Sequence, residues 1–199
     1  MAATNAKKEA NRWAALLDAA AGQFAQRGYH ATTIRDIAKA TAMTPGAIYF
    51  HVPTKQHLLL AVYEEGVRRI LENLEAALVG RSGRFERLEA AVIAHLKSIN
   101  EPSPYARVII RVMPDDIPEI ADQLKRLRER YEAKFRTIMA ALPVARGRNR
   151  DLARLFLLGA MNWMPVWYRG QGDDLAAIGR ELLAPLRAAL PAGDLRETA

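Results

Sequence analysis

The chain has 199 residues and no cysteine. That excludes disulfides, thiolate metal sites and cysteine nucleophiles together, and it fits a reducing compartment. No apolar run approaches the roughly 18 residues of a membrane span. The stretch "MAATNAKKEANRW" lacks an apolar signal core, so a cytoplasmic chain without membrane contact is expected. Histidine is scarce: His30, His51, His57 and His95 form no HExxH and have no carboxylate partner at ligating spacing, so no metal and no cofactor are expected. Catalytic signatures are lacking too. There is no GxSxG, and neither "GRSGR" nor "RGQGDD" matches a phosphate-cradling loop or a dinucleotide fingerprint. Asp115 and Asp116 are adjacent beside Pro114 and read as a helix cap rather than an acid/base pair. The reading is a non-enzyme. Strand alternation, repeats and low-complexity tracts are also absent.

What is present is helical periodicity and basic charge. Half of the residues are apolar, enough for a substantial core. The net charge is +7, and the first 56 residues hold seven Lys/Arg against three Asp/Glu. That density suits a polyanionic partner. Trp13, Leu16, Leu17, Ala20 and Phe24 recur at helical spacing and predict a helix from about Glu9 to Arg27. Gly28 then fits a left-handed ending, with Tyr29 packed back on Phe24. Thr33 and Asp36 form a capping-box pair ahead of a short helix whose inner face is Ile34, Ile37 and Ala38. Thr41 and Ala42 make a turn. Thr44 caps a third helix with Pro45 at its first position, Pro53 ends it, and Thr54 caps a fourth running to about Val79.

Two short helices around a tight turn can place the second in the major groove of DNA while the first braces it. The second here is "TPGAIYFH". Its N-terminal amides suit a phosphate. Gly46 and Ala47 are small enough for close backbone approach. Ile48 must face inward, which leaves Thr44, Ala47 and Tyr49 toward the groove, with Pro45 and Gly46 beside them as further DNA-binding candidates. Thr33, Tyr49, His51 and Lys55 can bond phosphates, and Arg35 adds a cation on the bracing helix.

Further along, helices are expected over Phe85 to Ile99, over "YARVIIRVM" up to Pro114, from Ile117 to Ala141, from Asp151 to Arg169, and in a last segment ending before Pro191. "ARGRNR" reads as a basic loop and "AGDLRETA" as a frayed tail. The aromatic and Met side chains of this part read first as core, and His95 as a buried core histidine. Arg107, Arg111, Arg128, Arg146, Arg148 and Arg150 lie near apolar helices, an arrangement that suits phosphates beside an apolar slot. The alternative is that they solvate the surface.

Residues 12–60, from "RWAALLDAAAGQFAQRGYHATTIRDIA" to "GAIYFHVPTKQHLLL", resemble the N-terminal domain of the TetR family of transcriptional regulators. Phe24, Gly28, Tyr29, Thr33, Ile37, Ala38, Gly46, Tyr49, His51, Lys55 and Leu58 carry the likeness. Ala42 departs from the family's usual turn Gly, and Val52 from its usual aromatic. The resemblance implies an all-α homodimer that binds a palindromic operator, with phosphate contacts on Thr33, Tyr49, His51 and Lys55 and base reading within Thr44 to Tyr49. It implies a helix-turn-helix domain over residues 1–56 and a helical effector-binding and dimerisation domain over 57–199.

"LKRLRERYEAKFRTIM" and "RDLARLFLLGAMNWMPVWYRGQGD" resemble the C-terminal domain of the family's fatty-acid and sterol-degradation subset, several of which answer to acyl-CoA. The proline usual after "WYR" is missing. The expected effector is thus a small apolar ligand, with an acyl-CoA thioester the leading class and a free apolar compound its rival. Its expected neighbours are Phe85, Val92, His95, Tyr105, Ile109, Tyr131, Phe135, Trp163 and Trp167. The "LARLFLLGAMNWMPVWY" helix is apolar nearly all round and predicts pairing between two copies with "LAAIGRELLAPLRAAL". The different class of reading is a DNA-independent helical module that binds a small molecule or a partner.

Overall fold

A computed structural model describes residues 2–100, 103–143, 149–170 and 174–188. Among them every regular element is helical: α1 Ala2–Arg27, α2 Ile34–Thr41, α3 Pro45–His51, α4 Lys55–Leu78, α5 Arg84–Asn100, α6 Pro104–Arg111, α7 Ala121–Ala140, α8 Arg150–Trp167 and α9 Leu175–Arg187. Three-residue 3-10 turns at Pro114–Asp116 and Pro118–Ile120 precede α7. The all-α expectation therefore holds.

Local chemistry sets most boundaries. Gly28 ends α1 at φ 82°, a left-handed conformation that only glycine adopts cheaply. Its N–H donates to the Phe24 carbonyl at 3.0 Å, and the Phe24 and Tyr29 rings sit 5.6 Å apart. Asn149 caps α8 by accepting from the N–H groups of Asp151 and Leu152, at 2.9 and 3.1 Å. Asp174 caps α9 through the Ala176 N–H.

Several expected boundaries move. α1 begins at Ala2 rather than near Glu9, because "ATNAKKEA" is rich in helix formers. α7 begins at Ala121 rather than Ile117. Pro114 and Pro118 each lack an N–H and push the residue before them out of the helical region, with Met113 at ψ 148° and Ile117 at ψ 81°. The chain can therefore make only single turns there. Asp116 closes the first of these by accepting from the Met113 N–H, so it caps its own turn and not the long helix. α8 ends at Trp167 instead of Arg169. The expected "AGDLRETA" tail and most of the "ARGRNR" loop lie outside the described residues.

The chain packs as two compact units. One comprises Met1–Arg68 with Pro102–Arg128, the other Arg69–Glu101 with Glu129–Ala199. In the first, α1 packs on α2 and α6, and Leu16, Ala20, Ile37, Ile48, Leu58 and Tyr63 are fully buried. In the second, α5 packs on α8 and α9 around Leu88, Val92, Leu96, Phe135 and Met161. A Cβ on Gly179 of α9 would lie 3.1 Å from Ile93, so α9 and α5 approach closely at that glycine.

Candidate nucleic-acid interface and effector region

The α2–α3 hairpin is built from reciprocal caps. The Thr33 hydroxyl oxygen accepts from the Asp36 N–H at 3.2 Å, while the Asp36 carboxylate accepts from the Thr33 N–H at 2.9 Å and from its hydroxyl at 2.7 Å. These bonds, then the Arg27 guanidinium 3.2 Å away, hold the Asp36 carboxyl below the usual carboxylate range. Ala42 makes the turn at φ 52° and ψ 30°, the sole left-handed non-glycine among the described residues. Thr44 then caps α3 by accepting from the Ala47 N–H at 3.2 Å, with Pro45 in the first turn.

Ile48 is fully buried, with Ile34, Ile37 and Ala38 forming the inner side of the hairpin. At 100° per residue, Gly46 and Phe50 fall opposite Ile48. Both are exposed, as are Thr44, Pro45 and Tyr49, while Ala47 is half-buried. Phe50 is 84% exposed, more than any other large apolar side chain described. It is missing from the groove-facing set expected from the sequence, although the helical wheel marks it. A Cβ on Gly46 would meet nothing nearer than the Thr44 hydroxyl at 4.0 Å. The fold therefore does not require glycine there. His51 is half-buried, its ring 5.9 Å from Trp13 and 5.8 Å from Phe50. Arg35 is exposed on α2. Val52 is buried despite lacking the expected ring.

Lys55 is a structural staple. Its ammonium donates to the Tyr29 and Thr32 carbonyls at 3.0 and 2.9 Å and lies 4.2 Å from the centre of the Tyr29 ring. Partial burial lowers its pKa. Two of its three N–H groups are thus committed within the fold.

The expected effector neighbours divide between the units. Tyr105 and Ile109 belong to the first. The Tyr105 hydroxyl donates to Asp18 at 2.8 Å, and Ile109 packs on Gly66 of α4. Seven belong to the second. Of these, His95, Tyr131 and Phe135 come together, with ring centroids 5.6 to 6.0 Å apart, and Val92 is buried on the same helix as His95. Phe85 lies instead beneath the Arg187 guanidinium, 5.3 Å away. Trp163 and Trp167 are exposed on α8.

Three of the six arginines considered for phosphate binding are spent on carbonyls. Arg111 donates to Ala25 at 2.8 Å and Arg150 to Leu142 at 3.0 Å. Arg128 donates to Ile109 at 3.0 Å and also to the Tyr63 hydroxyl at 2.7 Å. Arg107 is exposed on α6, and Arg146 and Arg148 lie outside the described residues. Arg154, which is not among the six, is 7% exposed and paired to Glu132 at 2.7 Å. Among the described residues no cluster of His, Asp or Glu could hold a metal ion, and no helix is long and apolar enough to cross a membrane.

Residues 16–62 match the family model for bacterial regulatory proteins of the tetR family, and residues 82–187 match the tetracyclin repressor-like C-terminal domain. The chain belongs to the TetR family. This TetR-family transcriptional regulator is 27% identical to the HTH-type transcriptional repressor KstR2 of Mycolicibacterium smegmatis over 196 residues, 92% of this chain and 93% of that one. Its fold matches the solved structure of superantigen PfiT with a TM-score of 0.76 at 29% identity, covering 91% of this chain and 97% of that one. It also matches FadR of Bacillus subtilis in complex with stearoyl-CoA, at a TM-score of 0.76, 20% identity and coverage of 90% and 100%.

Proposed function

We propose that this TetR-family regulator is an effector-controlled repressor. It binds a palindromic operator as a homodimer and is released by an apolar ligand, with acyl-CoA thioesters the leading class. The observation that carries the DNA half is α3: capped, seven residues long, anchored by Ile48, and presenting Thr44, Gly46, Tyr49 and Phe50 outward. Thr33, Tyr49, His51 and Lys55 take the phosphates in this reading, Arg35 supplies charge, and Thr44, Pro45, Gly46 and Ala47 approach the bases. Residues 1–56 carry DNA binding, and residues 57–199 carry the effector and the dimer contact.

Support for the dimer comes from α8. Leu152, Leu155, Phe156, Trp163, Val166 and Trp167 are all exposed and recur at three- and four-residue spacing. Such a stripe is costly to leave wet. Two-fold symmetry in the protein then matches a palindrome. Support for the effector class comes from the ligand of the B. subtilis structure together with the aromatic group around His95. The ligand must favour the DNA-incompetent conformation, since equal affinity for both shifts nothing. α4 and α7 each run from one packing unit into the other and are the natural levers.

The test is a fluorescence titration against the promoter duplex of the protein's own operon across a salt series. A repressor binds with a steep salt dependence, because each neutralised phosphate releases counterions. Equal affinity for promoter and random duplex at moderate salt would favour a DNA-independent binding module instead.

A further inference from the structure

The unit containing α5, α8 and α9 keeps His95 almost entirely out of water, at 3% exposure. Its Nδ1 is hydrogen-bonded to the Tyr131 hydroxyl at 2.5 Å, and the Phe135 ring stands edge-on 6.0 Å away. Its Nε2 is buried and has no hydrogen-bond partner. The Asn162 side chain is a hydrogen-bonding neighbour that favours the protonated ring, yet its geometry falls short of a hydrogen bond to that nitrogen. Burial pushes the imidazole down to about 4 and the Tyr131 phenol up, so both are neutral at pH 7.

Two neutral proton arrangements exist. If Nδ1 carried the hydrogen and donated to Tyr131, the phenolic O–H would need another acceptor, whereas its hydrogen bond among the described residues is the one to His95. Two polar groups would then be orphaned. If Tyr131 donates to Nδ1, the phenol and Nδ1 are both satisfied, and only Nε2–H is left over. The second arrangement is favoured, because each buried orphan costs about 1–3 kcal/mol. An unpaired buried N–H is rare in folded proteins.

We propose that His95 Nε2–H reads a neutral carbonyl oxygen of the effector, the carbonyl of a thioester or a ketone on an apolar skeleton, with Tyr131 as the positioning residue that fixes the tautomer. This rests on the effector reading above and narrows it. A free carboxylate is the wrong acceptor. Burying that charge beside an uncharged imidazole is costly, and protonating the ring works against its desolvation.

The experiment uses the full chain and four probes: palmitoyl-CoA, its thioether analogue hexadecyl-CoA, free palmitate, and the ketosteroid cholest-4-en-3-one. Calorimetry gives Kd, and operator release gives function. Palmitoyl-CoA is expected to bind about tenfold more tightly than the thioether, the worth of one hydrogen bond to a buried donor. His95→Phe should bring the two within about twofold, and His95→Gln, which keeps an N–H donor, should restore part of the gap. Imidazole 15N spectra of the unliganded wild type should show a neutral ring protonated on Nε2.

A ketosteroid that binds in place of the thioester, with the same loss in His95→Phe, keeps the carbonyl and changes its carrier. Equal wild-type affinity for thioester and thioether, or an Nδ1–H tautomer, overturns the proposal and leaves the effector reading standing. Tightest binding of palmitate with a raised His95 pKa overturns the proposal and the acyl-CoA class together, leaving a free apolar acid as the effector. If no probe binds or releases the operator, both the proposal and the acyl-CoA reading fall.

Discussion

The α2–α3 hairpin and the α5–α7–α8 region solve the same problem at different ranges. In the hairpin the anchoring bonds are local: Thr33 with Asp36, Thr44 with the Ala47 N–H, and the Thr41 hydroxyl donating to Ile37. In the second region the partners are far apart in sequence. His95 meets Tyr131 across 36 residues, Asn73 meets Ser98 across 25, and Arg154 meets Glu132 across 22. Local anchors shape the hairpin whatever packs around it, so its outward residues are free to serve another molecule. Long-range anchors exist only once the whole unit is folded, and they leave polar atoms such as His95 Nε2 and Arg154 Nε buried without partners. A buried polar group of that kind is costly until a partner satisfies it.

The largest expected effect breaks the long-range side of this contrast outright. Phe156→Glu with Trp163→Glu places charges on the exposed α8 stripe, where they cost the folded chain little. Sedimentation velocity should show a monomer, and operator affinity should fall by about a hundredfold or more as the second half-site is lost. A double variant that stays dimeric with unchanged affinity would remove α8 from the interface.

A smaller effect tests His95 by pH. Its folded pKa of about 4 lies below the ordinary value of 6.5, so the unfolded chain takes up the proton first. Stability is intact above about 6.5 and is lost as pH falls from there toward 4, by on the order of 3 kcal/mol. Urea denaturation of wild type against His95→Phe across that window should show the difference in slope. Parallel curves would mean that the ring is not the buried neutral group described.

Lys55 sharpens the boundary between local and distant anchoring, because it is the hairpin region's long-range bond. Lys55→Ala should cost on the order of 2 kcal/mol of stability through its two carbonyl bonds. It should also flatten the salt slope of operator binding by about one unit. A flattened slope without loss of stability would mean a free phosphate-binding cation. The opposite result would mean a purely structural one.

The smallest effects belong to single backbone positions. Ala42→Gly relieves a left-handed alanine and should stabilise the chain by about 1 kcal/mol or less, after the added freedom of glycine in the unfolded state. Gly46→Ala should leave thermal unfolding unchanged or slightly improved, since that Cβ would meet only the Thr44 hydroxyl, at an unstrained 4.0 Å. Operator affinity should nevertheless drop severalfold. Undiminished affinity would mean that the α3 backbone does not approach DNA closely.

The DNA-binding half is legible in the amino-acid sequence because its determinants are short-range. The Thr33–Asp36 box, the Thr44–Pro45 start and the Gly28 stop are each written within four residues and act through backbone geometry. The inward direction of Ile48 follows from spacing alone, and the same spacing marks Phe50. The effector half is legible only as helices. Composition can put Phe85, Tyr105 and Tyr131 on apolar faces, yet it cannot say that Tyr105 bonds Asp18 or that Phe85 lies under Arg187. Nor can it show that Arg111, Arg128 and Arg150 are spent on carbonyls.

By itself, then, the sequence determined that the chain is helical, where the hairpin's two helices start and stop, which of its residues turn inward and how charge is spread, because propensity, caps and periodicity act within a few residues. Only the tertiary structure decided that Lys55 is a staple, that His95 keeps one nitrogen unpaired, and that α6 packs in the same unit as α1. Each of these depends on residues tens of positions apart being brought within bonding distance, and no local pattern encodes which of many such meetings the folded chain will make.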